Sequence, residues 1–359
     1  MKKVGIIKPN YNTPKNLLTE ALDSVSRQSI IDDIYLIIID DGSDYDRYIE
    51  LCEVIKRYTF DIKLFRKSKR EGPALARQKA LDIIDAEYIM FLDSDDEFPN
   101  SNSVEISYNN IKKNKLDFMC FAKYIIKNKT RSISRISIEN FPNISPLHGF
   151  IYKTSFIINH DIKFPNIKYG GCEDSIFNMK CYINSNKFDC KDDVVYSWKT
   201  RDDSNYFFRA KMLEGAVLHI GTMFLSLYLL EDIPNKNRVL KCFCLWNDFL
   251  LSDKILEDPI SDSILNSYSY IVSMSYKKYF KKYLGNISVK IDNSRTYNYL
   301  KCLQKYWNDD NKILISTLNN NVEKFAYTKD IQDFLCKISK VRIGKLNINS
   351  LTENIILDW

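Results

Sequence analysis

The stretch Tyr88-Ile89-Met90-Phe91-Leu92-Asp93-Ser94-Asp95-Asp96 decides the reading of this chain, because an apolar run passes directly into three carboxylates. Strands covered on both faces read as continuous apolar runs rather than alternating ones, as central strands of a parallel sheet do. Upstream, Val4 to Ile7, Tyr35 to Ile39 and Ile62 to Phe65 repeat the pattern. Between them, Leu17, Leu18, Ala21, Leu22 and Val25 recur at helical spacing behind Thr13 and Pro14, a cap and first-turn residue. A second helix is expected around Ile49, Val54 and Ile55, and a third opens at Gly72 and Pro73. Alternating strands and helices with right-handed crossovers predict an α/β fold with a doubly wound, mostly parallel sheet.

In such sheets ligands sit beyond the C-terminal strand ends. Acidic residues fall there: Asp40 and Asp41 after the second strand, Asp93, Asp95 and Asp96 after the fourth. Clustered carboxylates repel unless a cation joins them, and hard divalent ions take such oxygens together with substrate phosphate oxygens. Taken alone, Asp-Ser-Asp-Asp is as readily a polar turn. The companion segments Pro9-Asn10-Tyr11-Asn12 and Asp40-Asp41-Gly42-Ser43 at neighbouring strand ends favour a site: an Asp can accept an imide N–H and a Tyr ring can stack on a base.

Composition sets the frame. The 359 residues suit two domains, and 45% hydrophobic with 27% charged residues is ordinary for a globular chain. The net charge of +6 arises from 52 basic against 46 acidic residues, an excess too small to mark a nucleic-acid binder. Nine cysteines without a Cys-x-x-Cys pair, beside three histidines, argue against zinc or a disulfide framework. The odd thiol count and a start directly on an apolar strand point to the cytoplasm. No apolar run reaches the roughly 20 residues that span a bilayer, so membrane contact would be peripheral, at the inner face.

From about Tyr206 apolar residues follow helical spacing alone, so a boundary is placed near residue 212. Residues 1–212 are expected to form the domain that carries the site. Residues 213–359 are expected to be a mainly helical accessory domain for acceptor, membrane-surface or oligomer contacts. In that region Lys277, Lys278, Lys281 and Lys282 interleave with Tyr276, Tyr279, Phe280 and Tyr283, which fits a solvated helix face better than a lipid or polymer surface.

Together the Pro9 to Asn12 turn, Asp40 to Ser43, Gly72-x-x-x-Ala76-Arg77, Phe91 to Asp96 and Glu173-Asp174 resemble the inverting nucleotide-sugar glycosyltransferases of family 2, with their Rossmann-like A-type fold. The resemblance covers about residues 1–210 and implies that 1–212 is a nucleotide-sugar-binding catalytic domain. It implies that Pro9, Tyr11 and Asp41 line the base with Asn12 and Asp40 close by, and that Arg77 helps to hold the nucleotide. It further implies that Asp95 and Asp96 contact ribose, diphosphate and a Mn2+ or Mg2+ ion with Asp93 as a further member, and that Asp174 is the base. Arg70 replaces the Asn the family usually has, and Gln78 and Ala80 replace its usual Asn and Gly.

Inverting transfer is a direct displacement, so it needs a carboxylate across the sugar from the diphosphate. Gly170-Gly171-Cys172-Glu173-Asp174 offers one at a helix N-terminus, where the dipole favours negative charge. Asp174 is the expected base, and Glu173 the residue that binds acceptor or orients its neighbour; the bland reading is a helix cap. Tyr196 to Ser204 resembles the segment that closes over the donor, with Lys199, Arg201 and Ser204 as candidate phosphate contacts. Leu147 to Tyr152 resembles the acceptor-side stretch, with His148 as a candidate sugar contact.

The expected activity is metal-dependent inverting transfer of a hexosyl or N-acetylhexosaminyl group. The expected donor is a UDP-sugar, and the expected acceptor a glycan hydroxyl, lipid-linked or not, in bacterial lipooligosaccharide or capsule synthesis. A nucleotidyltransferase is disfavoured, since Pro9 to Pro14 holds neither glycine nor a basic residue. A non-catalytic glycan-binding protein of this fold, and a transferase acting on a nucleic-acid base or a protein, are the alternatives.

Overall fold

The computed structural model describes residues 2–128, 130–136, 146–165 and 173–200. The expected helical domain at 213–359, the lysine–tyrosine cluster around 276–283, Arg201, Ser204 and the glycine pair at 170–171 lie outside the described residues.

The first half alternates as expected: β1 Lys2–Asn10, α1 Lys15–Ser26, β2 Ile34–Asp40, α2 Tyr45–Ile55, β3 Ile62–Arg66, α3 Pro73–Leu81, β4 Ala86–Phe91 and α4 Ser103–Lys113. β1 pairs in parallel with β2 on one side and β4 on the other, and β2 pairs in parallel with β3, so the order β3-β2-β1-β4 is doubly wound. β2 is buried along its whole length, as its unbroken Ile-Tyr-Leu-Ile-Ile-Ile run requires. Leu18, Ala21, Leu22 and Val25 turn one face of α1 into this core with Val4, Ile6, Leu36 and Ile38. Fully burying a Leu, Ile or Val side chain of this core contributes about 1.5–3 kcal/mol. Helix α1 starts one residue later than expected, with Pro14 as an extended cap residue that makes no side-chain cap bond.

The second half adds β5 Phe118–Lys127, β6 Thr130–Ser134, β7 Phe150–Lys153, α5 Thr154–Asn159, α6 Glu173–Asn184 and β8 Phe188–Thr200. β7 joins β4 antiparallel, β5 pairs antiparallel with β7 and β6, and β8 runs parallel to β5. The β5–β8 register is irregular at Phe121, Ala122 and Lys123, which re-aims the following side chains. Among the described residues no helix is long and apolar enough to cross a membrane.

Candidate active site

Three strand-end loops meet at one sheet edge. The first two are tied together by Asn12, whose backbone sits at φ 48°. Its side-chain amide donates to Asp44 at 3.0 Å and accepts from the Asp44 N–H at 2.9 Å, and its own N–H reaches the Ser43 hydroxyl at 2.9 Å. Asp40 is fully buried and accepts from the Asn10 amide at 3.0 Å and from the Ser43 hydroxyl at 2.5 Å. Asp41 accepts from the N–H groups of Glu71 and Gly72, the latter at 2.7 Å, and pairs with Lys67 at 3.0 Å. Gly42 is needed at this junction. It has φ 74°, and a Cβ there would fall 2.7 Å from the Lys69 carbonyl carbon.

Pro9 is buried opposite Ile39, whereas Tyr11 is 36% exposed and carries the Arg70 guanidinium over its ring at 4.1 Å. The position where the sequence departs from the family pattern thus lies on the expected base platform, in a cation–π stack.

The acidic turn is built from both ends of the chain segment. Asp96 is 1% exposed and accepts from the Lys199 backbone N–H at 2.8 Å and from the Tyr196 hydroxyl at 2.8 Å. The same hydroxyl accepts the Asp93 N–H at 3.1 Å. Reciprocal backbone bonds between Glu97 and Ser197 close the clasp. Burial, reinforced by Asp95 and Asp93, pushes the Asp96 carboxyl well above its ordinary value. Asp93 goes the other way: burial opposes its ionisation, yet Arg77 and His148 hold it far below the usual carboxylate range.

His148 stands against both carboxylates, with Nε2 3.1 Å from Asp93 and 3.6 Å from Asp96. Its ring stacks on Tyr196 at 5.0 Å, and burial pushes its pKa down to about 4, so the imidazole is neutral near pH 7. Ligand atoms of Asp93, Asp96 and His148 all lie within 4.8 Å of one another. The expected metal set of Asp93, Asp95 and Asp96 is therefore gathered differently, with His148 in that group and Asp95 beside it in the turn. Two carboxylates and a neutral imidazole form a donor set that suits a divalent ion.

Arg77, 5% exposed, joins this cluster to the next. It donates to Asp93 at 2.6 Å and to Glu173 at 2.9 Å. Burial works against its charge, but Asp93 and Glu173 prevail and raise its pKa. Asp174 follows at the start of α6, accepting the Ser175 N–H at 2.7 Å. Burial first, and then the Glu173 charge, raise its carboxyl to about 7. A carboxylate poised there changes protonation in the range where general bases operate.

Lys199 contributes its backbone to Asp96, while its ammonium is paired with Glu20 at 2.8 Å and Glu97 at 3.0 Å. Two site lysines escape sequence reasoning. Lys8, fully buried in β1, points at the Asp93 carbonyl at 3.5 Å, and burial lowers its pKa to about 8 against the pull of Asp95, Asp93 and Asp96. Its signal was visible as a charge inside an otherwise apolar strand. Lys123 in β5 had no comparable signal.

Residues 5–181 match the family described as glycosyl transferase family 2. A glycosyltransferase of Haemophilus influenzae is 31% identical over 55% of this chain and 76% of its own length. The poly(ribitol-phosphate) beta-N-acetylglucosaminyltransferase TarP of Staphylococcus aureus is 32% identical over 55% of this chain and 62% of its own length. The S. aureus enzyme TarS is 24% identical over 72% of this chain and 48% of its own length, so the chain spans about half to three fifths of these two teichoic-acid relatives. A crystal structure of TarS residues 1–349 with UDP superposes with a TM-score of 0.61 at 19% identity, covering 85% of this chain and 91% of that one, which shows a shared fold.

Proposed function

Because the chain belongs to glycosyl transferase family 2, we propose that it moves a sugar from a UDP-linked donor to a hydroxyl of a bacterial surface polymer, inverting the anomeric centre. One observation carries this reading. Two acidic stations, Asp93 with Asp96 and His148 on one side and Glu173 with Asp174 on the other, are joined by buried Arg77, which bonds Asp93 and Glu173. A displacement at an anomeric carbon needs positive charge near the leaving diphosphate and a base near the incoming alcohol.

In this reading Tyr11 stacks on the base and Asp41 accepts its imide N–H, with Pro9 and Asp40 supporting the loops and Asn12 holding them together. Asp95 reaches ribose or diphosphate. Asp93, Asp96 and His148 would hold Mn2+ or Mg2+, which would offset the charge on the departing diphosphate. Asp174 takes the acceptor proton. Glu173 fixes Arg77 and, through their shared turn, the placement of Asp174. The acceptor class is drawn from relatives whose names specify poly(ribitol-phosphate) chains, which favours a polyol-phosphate polymer over lipooligosaccharide or capsule.

The test is a donor screen with Mn2+ or Mg2+, following nucleotide release and the anomeric configuration of the product on a ribitol-phosphate oligomer. UDP release with inverted product supports the proposal. No turnover of any nucleotide sugar with either metal, or retained configuration, would end it.

A further inference from the structure

Several cationic side chains surround the acidic stations, and most are already committed. Arg77 is shared by Asp93 and Glu173, Lys199 is paired with Glu20 and Glu97, and Lys8 lies under the Asp93 carbonyl. Lys123 differs. It is 5% exposed, sits on β5 opposite Tyr196 of β8, and its ammonium lies 5.5 Å from the centre of the Trp198 ring. Among the described residues it makes neither a hydrogen bond nor an ion pair.

Its position within the site follows from its neighbours, since Tyr196, its partner across the ladder, and Trp198, beneath its ammonium, both pack on His148. Burial lowers its pKa against the pull of Cys120, Asp174 and Asp96, and it in turn helps to keep His148 neutral. It therefore lies on the face of the sheet that carries His148 and the acidic turn. An ammonium nine-tenths buried without a charge-assisted partner is costly, and a single cation–π contact of about 0.5–2 kcal/mol offsets only part of that cost. The arrangement makes sense if an anion completes it.

We propose that Lys123 is a phosphate-binding residue of the site, donating to an oxyanion of the substrates. This rests on the transferase reading, which supplies two phosphate sources: the diphosphate of the donor and a phosphodiester of the acceptor polymer. An ammonium beside the acidic turn suits either source, since the donor diphosphate and the acceptor hydroxyl meet at the same reacting carbon.

The experiment compares the wild type with Lys123→Met and Lys123→Arg, measuring UDP and uridine binding by calorimetry with Mn2+, and KM and kcat for a ribitol-phosphate oligomer. If Lys123 holds the donor, Lys123→Met weakens UDP binding about tenfold or more and leaves uridine binding unchanged, because only UDP carries the phosphates. If it holds the acceptor, UDP binding is unchanged and KM for the oligomer rises about tenfold. In either case Lys123→Arg, which keeps the charge, stays within about threefold of wild type. Should Lys123→Met not fold, Lys123→Gln gives the same contrasts. Unchanged UDP affinity together with unchanged KM overturns the assignment, and so does an equal loss of uridine and UDP binding, which would mark a packing role. A wild type that binds no UDP removes the transferase reading and this inference with it. A wild type that transfers sugar while Lys123→Met behaves identically removes this inference alone.

Discussion

Arg77 and Glu173 form a buried ion pair at 2.9 Å that joins helix α3 to the first turn of helix α6. The second branch of the guanidinium is held by Asp93 at 2.6 Å, so one side chain spans both acidic stations. Removing it leaves Asp93 and Glu173 without the cation they share. Arg77→Met is expected to lower stability by about 3–5 kcal/mol, the usual cost of breaking a buried pair. Arg77→Lys should recover part of this only, because an ammonium cannot reproduce the forked geometry. Urea denaturation monitored by circular dichroism checks both, and a loss under about 1 kcal/mol for Arg77→Met would show that the bridge is not structural.

The pKa of about 7 at Asp174 fixes the direction of a pH profile. Below pH 7 the carboxyl is protonated and cannot accept the acceptor proton, so transfer should rise with pH through neutrality and level off above about pH 8. Asp174→Asn should reduce kcat by roughly 10²–10⁴ while leaving UDP affinity close to wild type. It should also abolish the rise across neutrality. Persistence of that rise in Asp174→Asn would assign it to another group.

Much of this site was legible because parallel strands write their interiors as apolar runs and their ends as turns. Tyr88 to Leu92 against Asp93 to Asp96 is the clearest example, and the β3-β2-β1-β4 order follows from the same pattern. What the sequence hid were contacts set by register across distant strands. Tyr196 reaches Asp96 across 100 residues, and its hydroxyl meets the Asp93 N–H across 103. No local period encodes such a pairing. Lys123 was hidden for a related reason, since its direction depends on an irregularity in the β5–β8 ladder. Roles expected for Asp40 and Asn12 at the nucleotide meet a structure in which both are bonded into the loops themselves.

Chelation and substitution at the acidic turn form a third test. Asp96 is buried, disfavoured as a lone anion, and adjacent to Asp93 and His148. Asp96→Ala should remove the dependence of UDP binding on Mn2+, and His148→Ala should weaken Mn2+ affinity by about tenfold, or roughly 1.4 kcal/mol. Treatment with EDTA should lower wild-type UDP affinity, and added Mn2+ should restore it. Equal UDP affinity with and without metal in the wild type would exclude the Asp93, Asp96 and His148 group as a working cation site.

The last prediction concerns Tyr196, whose hydroxyl accepts from the Asp93 N–H and donates to Asp96 at 2.8 Å. Tyr196→Phe keeps the ring that stacks on His148 but strips a buried bond from Asp96 and a partly buried one from the Asp93 N–H. A buried group left without its partner costs about 1–3 kcal/mol, so the variant should unfold at lower urea yet still fold. The functional consequence is more specific. Asp96 would keep only the Lys199 N–H of these two donors, and its carboxylate would be free to turn away from Asp93 and His148. Mn2+-supported UDP affinity should therefore fall in Tyr196→Phe, while the pH profile governed by Asp174 keeps its midpoint near 7. A shifted midpoint with unchanged UDP affinity would place Tyr196 on the acceptor side of the site instead.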